Sequence, residues 1–262
     1  MVAGLRARWF QRRAREQCRS VPDKCRVYVI GDIHGCAELL SRILNFITAD
    51  LKDRPIEEPW VVLLGDYVDR GLGSRVVLDI LTTAPLPARC IPLRGNHEQM
   101  LLDFLVEPHR GIDWIRNGGL ETLHSYGIDV RPLHSWGGYA EIAAALRARL
   151  PPLHLGFLER TMPRCEIGDY FFCHAGVRPG VPLKEQSDVD LLWIRDPFLS
   201  AKCDFGKMIV HGHTPVDQPS VLHNRINIDT GAYISGKLTC LILEDSRTTF
   251  VSTNSSRRDA WP

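Results

Sequence analysis

The sequence predicts an α/β fold on three observations. Five short apolar runs, at 27–30, 60–64, 90–93, 170–173 and 208–210, each stop at glycine and polar residues, as buried strands do. Apolar residues at helical spacing follow the first three runs, which gives a repeated strand–motif–helix order. Each run also ends in residues able to ligate metals: Gly31-Asp-Ile-His-Gly35, Gly65-Asp-Tyr-Val-Asp-Arg-Gly71, Arg94-Gly-Asn-His-Glu98, His174-Ala-Gly176 and His211-Gly-His-Thr-Pro215. In sheets wrapped by helices, sites form beyond the strand ends. If these strands share one sheet, Asp32, His34, Asp66, Asn96, His174 and His213 converge on one spot.

The totals agree with a soluble globular chain. With 262 residues, one large domain or two small ones are possible, and 44% hydrophobic and 24% charged residues are ordinary values. No apolar stretch approaches the roughly 18 residues of a membrane helix. The N-terminus is arginine-rich and lacks the apolar core of a secretory leader. The 8 cysteines are scattered without a Cys-x-x-Cys pair, and Cys90, Cys173 and Cys240 lie in strand-like runs. They read as reduced, buried thiols of a cytoplasmic protein. Net charge is +1, but residues 1–19 hold six arginines against the single Glu16, leaving −4 for the rest. This segment also carries Leu5, Trp9 and Phe10. It could be a basic amphipathic stretch for a membrane surface, RNA or a partner. We read it as a solvated, partly helical tail capable of a weak contact with an anionic surface, with no specific nucleic-acid binding.

Along the chain, a basic tail is expected over 1–24, one domain over 25–252 and a frayed end over 253–262. Leu39, Leu40, Ile43, Leu44 and Ile47 predict a helix over about 36–48. Residues 53–59 form a polar, proline-bearing loop. Ser74 is expected to cap a helix carrying Val76, Val77, Ile80 and Leu81, ended by Pro85 and Pro87. Met100, Leu101, Phe104 and Leu105 make another helical face. Residues 107–168 read as a helical insertion flanking the site, with helices at 112–117, 120–126 and 139–150 punctuated by Gly118-Gly119, Gly137-Gly138 and Pro151-Pro152. From 226 onward the chain looks all-β, with strands at 226–228, 238–243 and 248–251. These are expected to form a second sheet packed on the first.

The motifs imply specific chemistry. Asp32 and His34, one residue apart at a strand end, lie on one side of the chain and can bind one ion. Asp66 follows the next strand, and a carboxylate can bridge two ions. Asn96, His174 and His213 can complete a second centre. This oxygen and imidazole set suits divalent metals. Two ions about 3.5–4 Å apart would clamp a phosphoryl group and acidify a bridging water. Phosphoester hydrolysis further needs a proton for the leaving oxygen and positive partners for the others. His97 is placed for the proton, Asp69 can orient it, and Arg70 can fork onto phosphate. A lone Gly-Asp is usually a turn, and a lone histidine usually satisfies a local hydrogen bond. Five motifs in order, each behind its own strand, are hard to explain that way.

Gly31-Asp-Ile-His-Gly35, Gly65-Asp-Tyr-Val-Asp-Arg-Gly71 and Arg94-Gly-Asn-His-Glu98 resemble the three signature motifs of the PPP family of metallophosphatases. That family includes eukaryotic serine/threonine phosphatases, the phage lambda protein phosphatase and bacterial symmetrical diadenosine tetraphosphatases. His174-Ala-Gly176, Gly212-His-Thr-Pro215 and Ile228-Asp-Thr-Gly-Ala232 resemble its later bacterial and phage-type motifs, and the resemblance spans roughly 27–243. It implies a four-layer α/β metallophosphoesterase sandwich, two sheets flanked by helices, with a two-metal site between the sheets. By position it puts Asp32, His34 and Asp66 on the first metal, and Asn96, His174 and His213 with the bridging Asp66 on the second. It makes His97 the general acid paired with Asp69, and Arg70 and Asn96 phosphate contacts. The segment Leu191-Leu-Trp-Ile-Arg195-Asp resembles the stretch that carries the family's second phosphate arginine, so Arg195 is the candidate. Arg94 could contact phosphate or brace its loop, and bracing is the reading taken. Tyr233 lines the site or packs. His211 is extra, either a partner behind the ligands or a plain strand-end histidine. Position 215 is Pro where many metallophosphoesterases, nucleases among them, carry a second histidine, which argues against a nuclease. The compact length looks bacterial or phage-like.

The sequence therefore reads as a soluble phosphoester hydrolase with two divalent ions. Manganese is the expected metal, with iron or zinc as alternatives, because histidine ligands disfavour a pure magnesium or calcium site. The expected substrate is a phosphorylated protein or peptide side chain. The alternative is a symmetrical diadenosine tetraphosphate hydrolase, and a non-catalytic metal-binding scaffold is the rival from another class. Trp114, Tyr126, Trp136 and Tyr139 in the insertion could stack on bases but are read as packing residues.

Overall fold

The computed structural model describes residues 19–134 and 137–253. The arginine-rich segment through residue 18, Trp136 and the expected frayed end from 254 lie outside the described residues. In chain order, β1 (Cys25–Ile30), α1 (Ala37–Asp53), β2 (Glu58–Leu63), α2 (Ser74–Thr83), β3 (Arg89–Pro92) and α3 (Asn96–Val106) alternate. Four helices follow: α4 (Gly111–Trp114), α5 (Leu120–Ser125), α6 (Gly138–Arg149) and α7 (Pro152–Arg160). Then come β4 (Arg164–Ile167), β5 (Tyr170–Cys173), α8 (Asp188–Trp193), β6 (Met208–His211), β7 (Ser220–Val221), β8 (Arg225–Asn227), α9 (Ala232–Ser235), β9 (Thr239–Glu244) and β10 (Arg247–Ser252).

The strands form two mixed five-stranded sheets, in the orders β10-β9-β1-β2-β3 and β4-β5-β6-β8-β7. β1, β2 and β3 run parallel, as do β5, β6 and β8, while β9, β10, β4 and β7 join antiparallel. Period-two alternation places the layers. Val27 and Val29 of β1 face Phe172, Val210 and Ile226 across the gap between the sheets. Tyr28 and Ile30 face the opposite way, toward Leu40, Ile43 and Ile47 of α1. On the far side of the second sheet, Phe171 and Ile209 pack against Leu191 of α8 and against Phe198. The result is a helix–sheet–sheet–helix sandwich.

Several expectations change. The five motif-bearing strands do not share one sheet but divide between the two, as the expected two-sheet sandwich requires. The chain from 226 does not form a sheet of its own. β8 joins β6 in the second sheet, and β9 and β10 return to the first, where β9 pairs with β1 from Arg26↔Glu244 to Ile30↔Cys240. β1 is buried on both faces, so leaving its free edge unpaired would strand main-chain polar groups without water. The insertion is helical through Arg160 and then yields β4, the edge strand of a hairpin with β5 across Gly168-Asp169, where Gly168 has φ +57°. It also holds a fourth helix, α7, started by Pro152. Helix α1 runs to Asp53, beyond the expected end at 48, because Leu51 continues its apolar face. Ser74 does not cap α2. Gly73 holds that position, and the buried Ser74 hydroxyl accepts the Asp69 main-chain N–H at 3.0 Å. Residues 19–24, read as tail, pack on the body: Val21 is buried and donates its N–H to Asp245 O at 3.0 Å. The seven cysteines among the described residues are free thiols, Cys203 exposed and the others buried or half-buried.

Candidate metal centre

The parallel strands of both sheets end at one edge of the sandwich, and the motif loops meet there. Main-chain N–H groups of Ile33 and His34 both donate to Asp66 O, at 3.1 and 2.7 Å, which ties the first motif to the second. His174 Nδ1 lies 2.9 Å from the carbonyl of Leu64, linking the end of β5 to the end of β2 across the two sheets. The His213 N–H donates to Asp32 Oδ2 at 3.0 Å, linking β6 to β1. Seven described residues other than glycine have left-handed backbone, and five of them are His34, Asp66, Asp69, Arg70 and His213. Each such residue costs on the order of 1 kcal/mol, and strain of this kind persists where surrounding bonds over-determine it.

The ligand-type atoms converge. Asp66 Oδ2 is 3.4 Å from His34 Nε2, and Asp66 Oδ1 is 3.4 Å from His174 Nε2. Asn96 Oδ1 lies 2.9 Å from both His174 Nε2 and His213 Nδ1, and those two nitrogens are 3.2 Å apart. Two groups keep their ligand atoms within 4.8 Å of one another: His34, Asp66 and His97, and Asp66, His174 and His213. His34 Nδ1 sits 3.0 Å from Val68 O, as His174 Nδ1 sits against Leu64 O, so carbonyls orient both rings with Nε2 inward.

Electrostatics fit a cation site. Burial drives His34 and His174 well below the ordinary histidine pKa, with neighbouring imidazoles adding to it. Burial, then the charges of Arg195 and His97, lowers His213 to about 3. Such imidazoles are neutral and keep a lone pair. Burial, then Asp229 and Asp66, pushes Asp32 well above the usual carboxylate range, and burial raises Asp66 too. Asp32 Oδ1 is buried and has no hydrogen-bond partner among the described residues. A buried carboxylate oxygen in that state calls for a cation. Glycine at 212 lets the carboxylate lie there, since a Cβ would fall 2.0 Å from Asp32 Oδ1. The donor set is oxygen and imidazole nitrogen, without thiolate, and it fits a pair of divalent ions.

His97 is buried beside Asp66, within the first of the two ligand groups. Its Nδ1 is 2.7 Å from Asp69 Oδ2, and its Nε2 is 3.2 Å from Arg70 Nη2 and 3.8 Å from Asp66 Oδ2. Burial alone would lower its pKa, but Asp66 and Asp69 outweigh burial and the net shift is upward. The half-buried Arg70 also donates to Tyr233 OH at 2.9 Å, and the Tyr233 ring stands edge-on to His34 with centroids 5.1 Å apart. Tyr233 therefore lines the site. Arg195 is exposed after α8, close enough for its charge to act on His213. Arg94 braces: it donates to Thr161 Oγ1 at 2.9 Å, Gln99 Oε1 at 3.1 Å and Glu159 O at 3.0 Å. His211 is buried edge-on to Phe198 and stands outside the ligand cluster.

Four site residues escaped the sequence reading. Glu98 is buried at the start of α3 and accepts main-chain N–H groups of Gly95, Asp66 and Tyr67 at 2.9, 2.8 and 2.7 Å. It stands in the third motif, which was its signal. Asp229, buried near Asp32 and Asp66 in the Asp-Thr-Gly-Ala turn, had a similar one. Trp114 and Thr122 touch Asp69 from the insertion, and no local pattern marks them.

Comparison with known proteins agrees with this geometry. The calcineurin-like phosphoesterase family model matches residues 25–240. A serine/threonine-protein phosphatase 1 of Salmonella typhimurium is 31% identical over 218 residues, covering 81% of this chain and 89% of the relative. A bis(5'-nucleosyl)-tetraphosphatase PrpE of Anoxybacillus flavithermus, named asymmetrical, is 28% identical over 242 residues, covering 85% and 92%. A crystal structure provisionally named a diadenosine tetraphosphatase superposes with a TM-score of 0.59 at 18% identity, covering 88% of this chain and 95% of that one.

Proposed function

The chain belongs to the calcineurin-like phosphoesterase family, and from that premise we propose that it removes phosphate from phosphorylated protein side chains. It is a metallophosphoesterase, a hydrolase of a family that works with a dinuclear metal centre. In this reading Asp32, His34 and Asp66 hold one ion, and Asp66, Asn96, His174 and His213 hold the other. Manganese is the proposed metal, with iron or zinc as alternatives. Bound there, the pair supplies a clamp for the phosphoryl oxygens and an acidified water. The chain supplies the rest. Arg70, Arg195 and Asn96 bind phosphate oxygens, and His97, oriented by Asp69, delivers the proton to the leaving oxygen. His97 falls within reach of the first ion's ligands, but Asp69 occupies its Nδ1 and the Arg70 guanidinium lies against its Nε2, so we assign it the proton and not the metal.

The observation that carries the choice of substrate is the burial of the aromatic candidates for base stacking. Trp114 is 0% and Tyr126 2% exposed, both inside the helical core, so neither offers a face to an adenine, and Tyr139 is half-buried against the same core. Trp136 lies outside the described residues. The named relative at 31% identity supports the same reading. One observation favours the nucleotide alternative: Trp193 is 42% exposed, and its ring stands 6.2 Å from that of His213, giving one base a place to stack. The tetraphosphatase relative is named asymmetrical, so the alternative need not be symmetrical cleavage. The free cysteines support a reducing compartment, the cytoplasm. Among the described residues, no helix is long and apolar enough to cross a membrane.

The test is a side-by-side assay of manganese-loaded protein on phosphopeptides and on diadenosine tetraphosphate. The reading expects the higher kcat/KM on phosphopeptide. A value about ten times higher on the tetraphosphate would move the protein to the nucleotide branch.

A further inference from the structure

We propose that Trp114 and Thr122, both from the helical insertion, are positioning residues that hold the Asp69 carboxylate against His97 for proton delivery. The inference rests on His97 being the proton donor of the proposed reaction. Asp69 is fully buried, and protein donors reach both of its oxygens. Oδ1 accepts from the Thr122 hydroxyl at 2.6 Å and from Trp114 Nε1 at 3.1 Å. Oδ2 accepts from the same indole N–H at 2.9 Å and faces His97 Nδ1 at 2.7 Å. The main chain of Asp69 is held as well, its N–H donating to Thr122 Oγ1 at 2.9 Å and to Ser74 Oγ at 3.0 Å. Thr122 thus grips one residue twice, through its backbone and through its carboxylate. A carboxylate so held cannot turn its Oδ2 away from the imidazole without leaving a buried donor unpaired.

The local structure of the insertion is shaped to make these contacts. Between α4 and α5 the chain kinks over Ile115–Gly119, where Gly118 leaves helical backbone. Gly118 has φ +108°, and its carbonyl accepts the Arg70 N–H at 3.1 Å. At Gly119 a Cβ would fall 2.6 Å from the Trp114 indole, so only glycine lets the ring lie where its N–H reaches Asp69. Packing alone does not require that N–H: the indole's aromatic neighbour is Phe104, with centroids 4.8 Å apart, which takes no hydrogen bond from it. The left-handed backbones of Asp69 and Arg70, at φ +73° and +65°, are pinned by these same acceptors. One stretch of the insertion therefore sets the carboxylate behind the acid and the main chain of the phosphate arginine together.

The experiment uses full-length, manganese-loaded protein and two aryl phosphates, dinitrophenyl phosphate with an acidic leaving group and phenyl phosphate with a basic one. Trp114→Phe keeps an aromatic ring, smaller than the indole, and removes the N–H, and Thr122→Val keeps the shape and removes the hydroxyl. Each is expected to lower kcat about tenfold on phenyl phosphate and by less than about threefold on dinitrophenyl phosphate, since only the first needs the proton. KM and bound manganese should stay within about twofold, and in a His97→Ala background neither change should add a further loss. Equal losses on both substrates, a wild-type kcat on phenyl phosphate in both variants, or full additivity with His97→Ala would overturn the proposal. His97→Ala alone separates this inference from its premise: a loss independent of the leaving group removes His97 as donor. A leaving-group-dependent loss there, with none in the other two variants, removes only the positioning role. If Trp114→Phe does not fold, Thr122→Val decides.

Discussion

Asp66 stands at the end of the first sheet and His174 at the end of the second, and Asp66 Oδ1 lies 3.4 Å from His174 Nε2. The opposite carboxylate oxygen is 3.4 Å from His34 Nε2. One side chain thus faces two ligand groups that the fold brings from different sheets. The contact depends on the packing between the sheets, where Val62 and Leu64 meet Phe172 and Val210.

Replacing His97 by Ala should lower turnover about 10²–10⁴-fold, the range for a general acid. Bound metal should hardly change, because Asp69 occupies its Nδ1 and Arg70 lies against its Nε2. Elemental analysis beside a rate measurement checks both. Loss of a full metal equivalent would make His97 a ligand instead.

Arg70 and Arg195 should act on phosphate and not on metal. Arg70→Ala is expected to cost about 10–100-fold in kcat/KM, by loss of a charge-assisted contact. Arg195 is exposed, so its charge is screened and its loss should be smaller, about 3–10-fold and mainly in KM. An Arg195→Ala protein with wild-type kinetics on phosphopeptide would remove that residue from the site.

Truncation should test whether residues 19–24 belong to the folded body. Deleting 1–18 should leave activity and melting temperature nearly unchanged. Deleting 1–24 removes buried Val21, its bond to Asp245 O and the bond from the Ser20 N–H to Asp169 Oδ2. Burying one valine is worth about 1.5–3 kcal/mol, so Tm should fall by roughly 3–12 °C for a chain of this size. Calorimetry showing no difference between the two deletions would place residues 19–24 outside the folded unit.

Much of this arrangement is legible in the chain. The five motif strands follow from apolar runs that stop at glycine, because parallel strands buried on both faces leave that trace. Which sheet a strand joins is less legible. The alternation of Leu241 and Leu243 with Cys240 and Ile242 gives β9 two apolar faces and says nothing of its partner, so β9 was expected beside β8 and pairs with β1. The hairpin of β4 and β5 carried a readable sign in Gly168-Asp169, hidden by the helical character of the residues before it. At the site, residues inside motifs were readable by type and order. Trp114 and Thr122 were not, because they reach Asp69 from 45 and 53 positions away through a turn no periodicity announces.

The most direct measurement of the central claim is metal stoichiometry in the wild type and in Asp66→Asn, by elemental analysis after manganese loading. The reading predicts about two ions per wild-type chain, since the two Asp66 oxygens face His34 on one side and His174 on the other, each at 3.4 Å. In the variant both should be weakened and phosphoester hydrolysis nearly abolished. One tightly held ion in fully active wild type, or an Asp66→Asn protein that keeps two ions and its activity, would contradict the account.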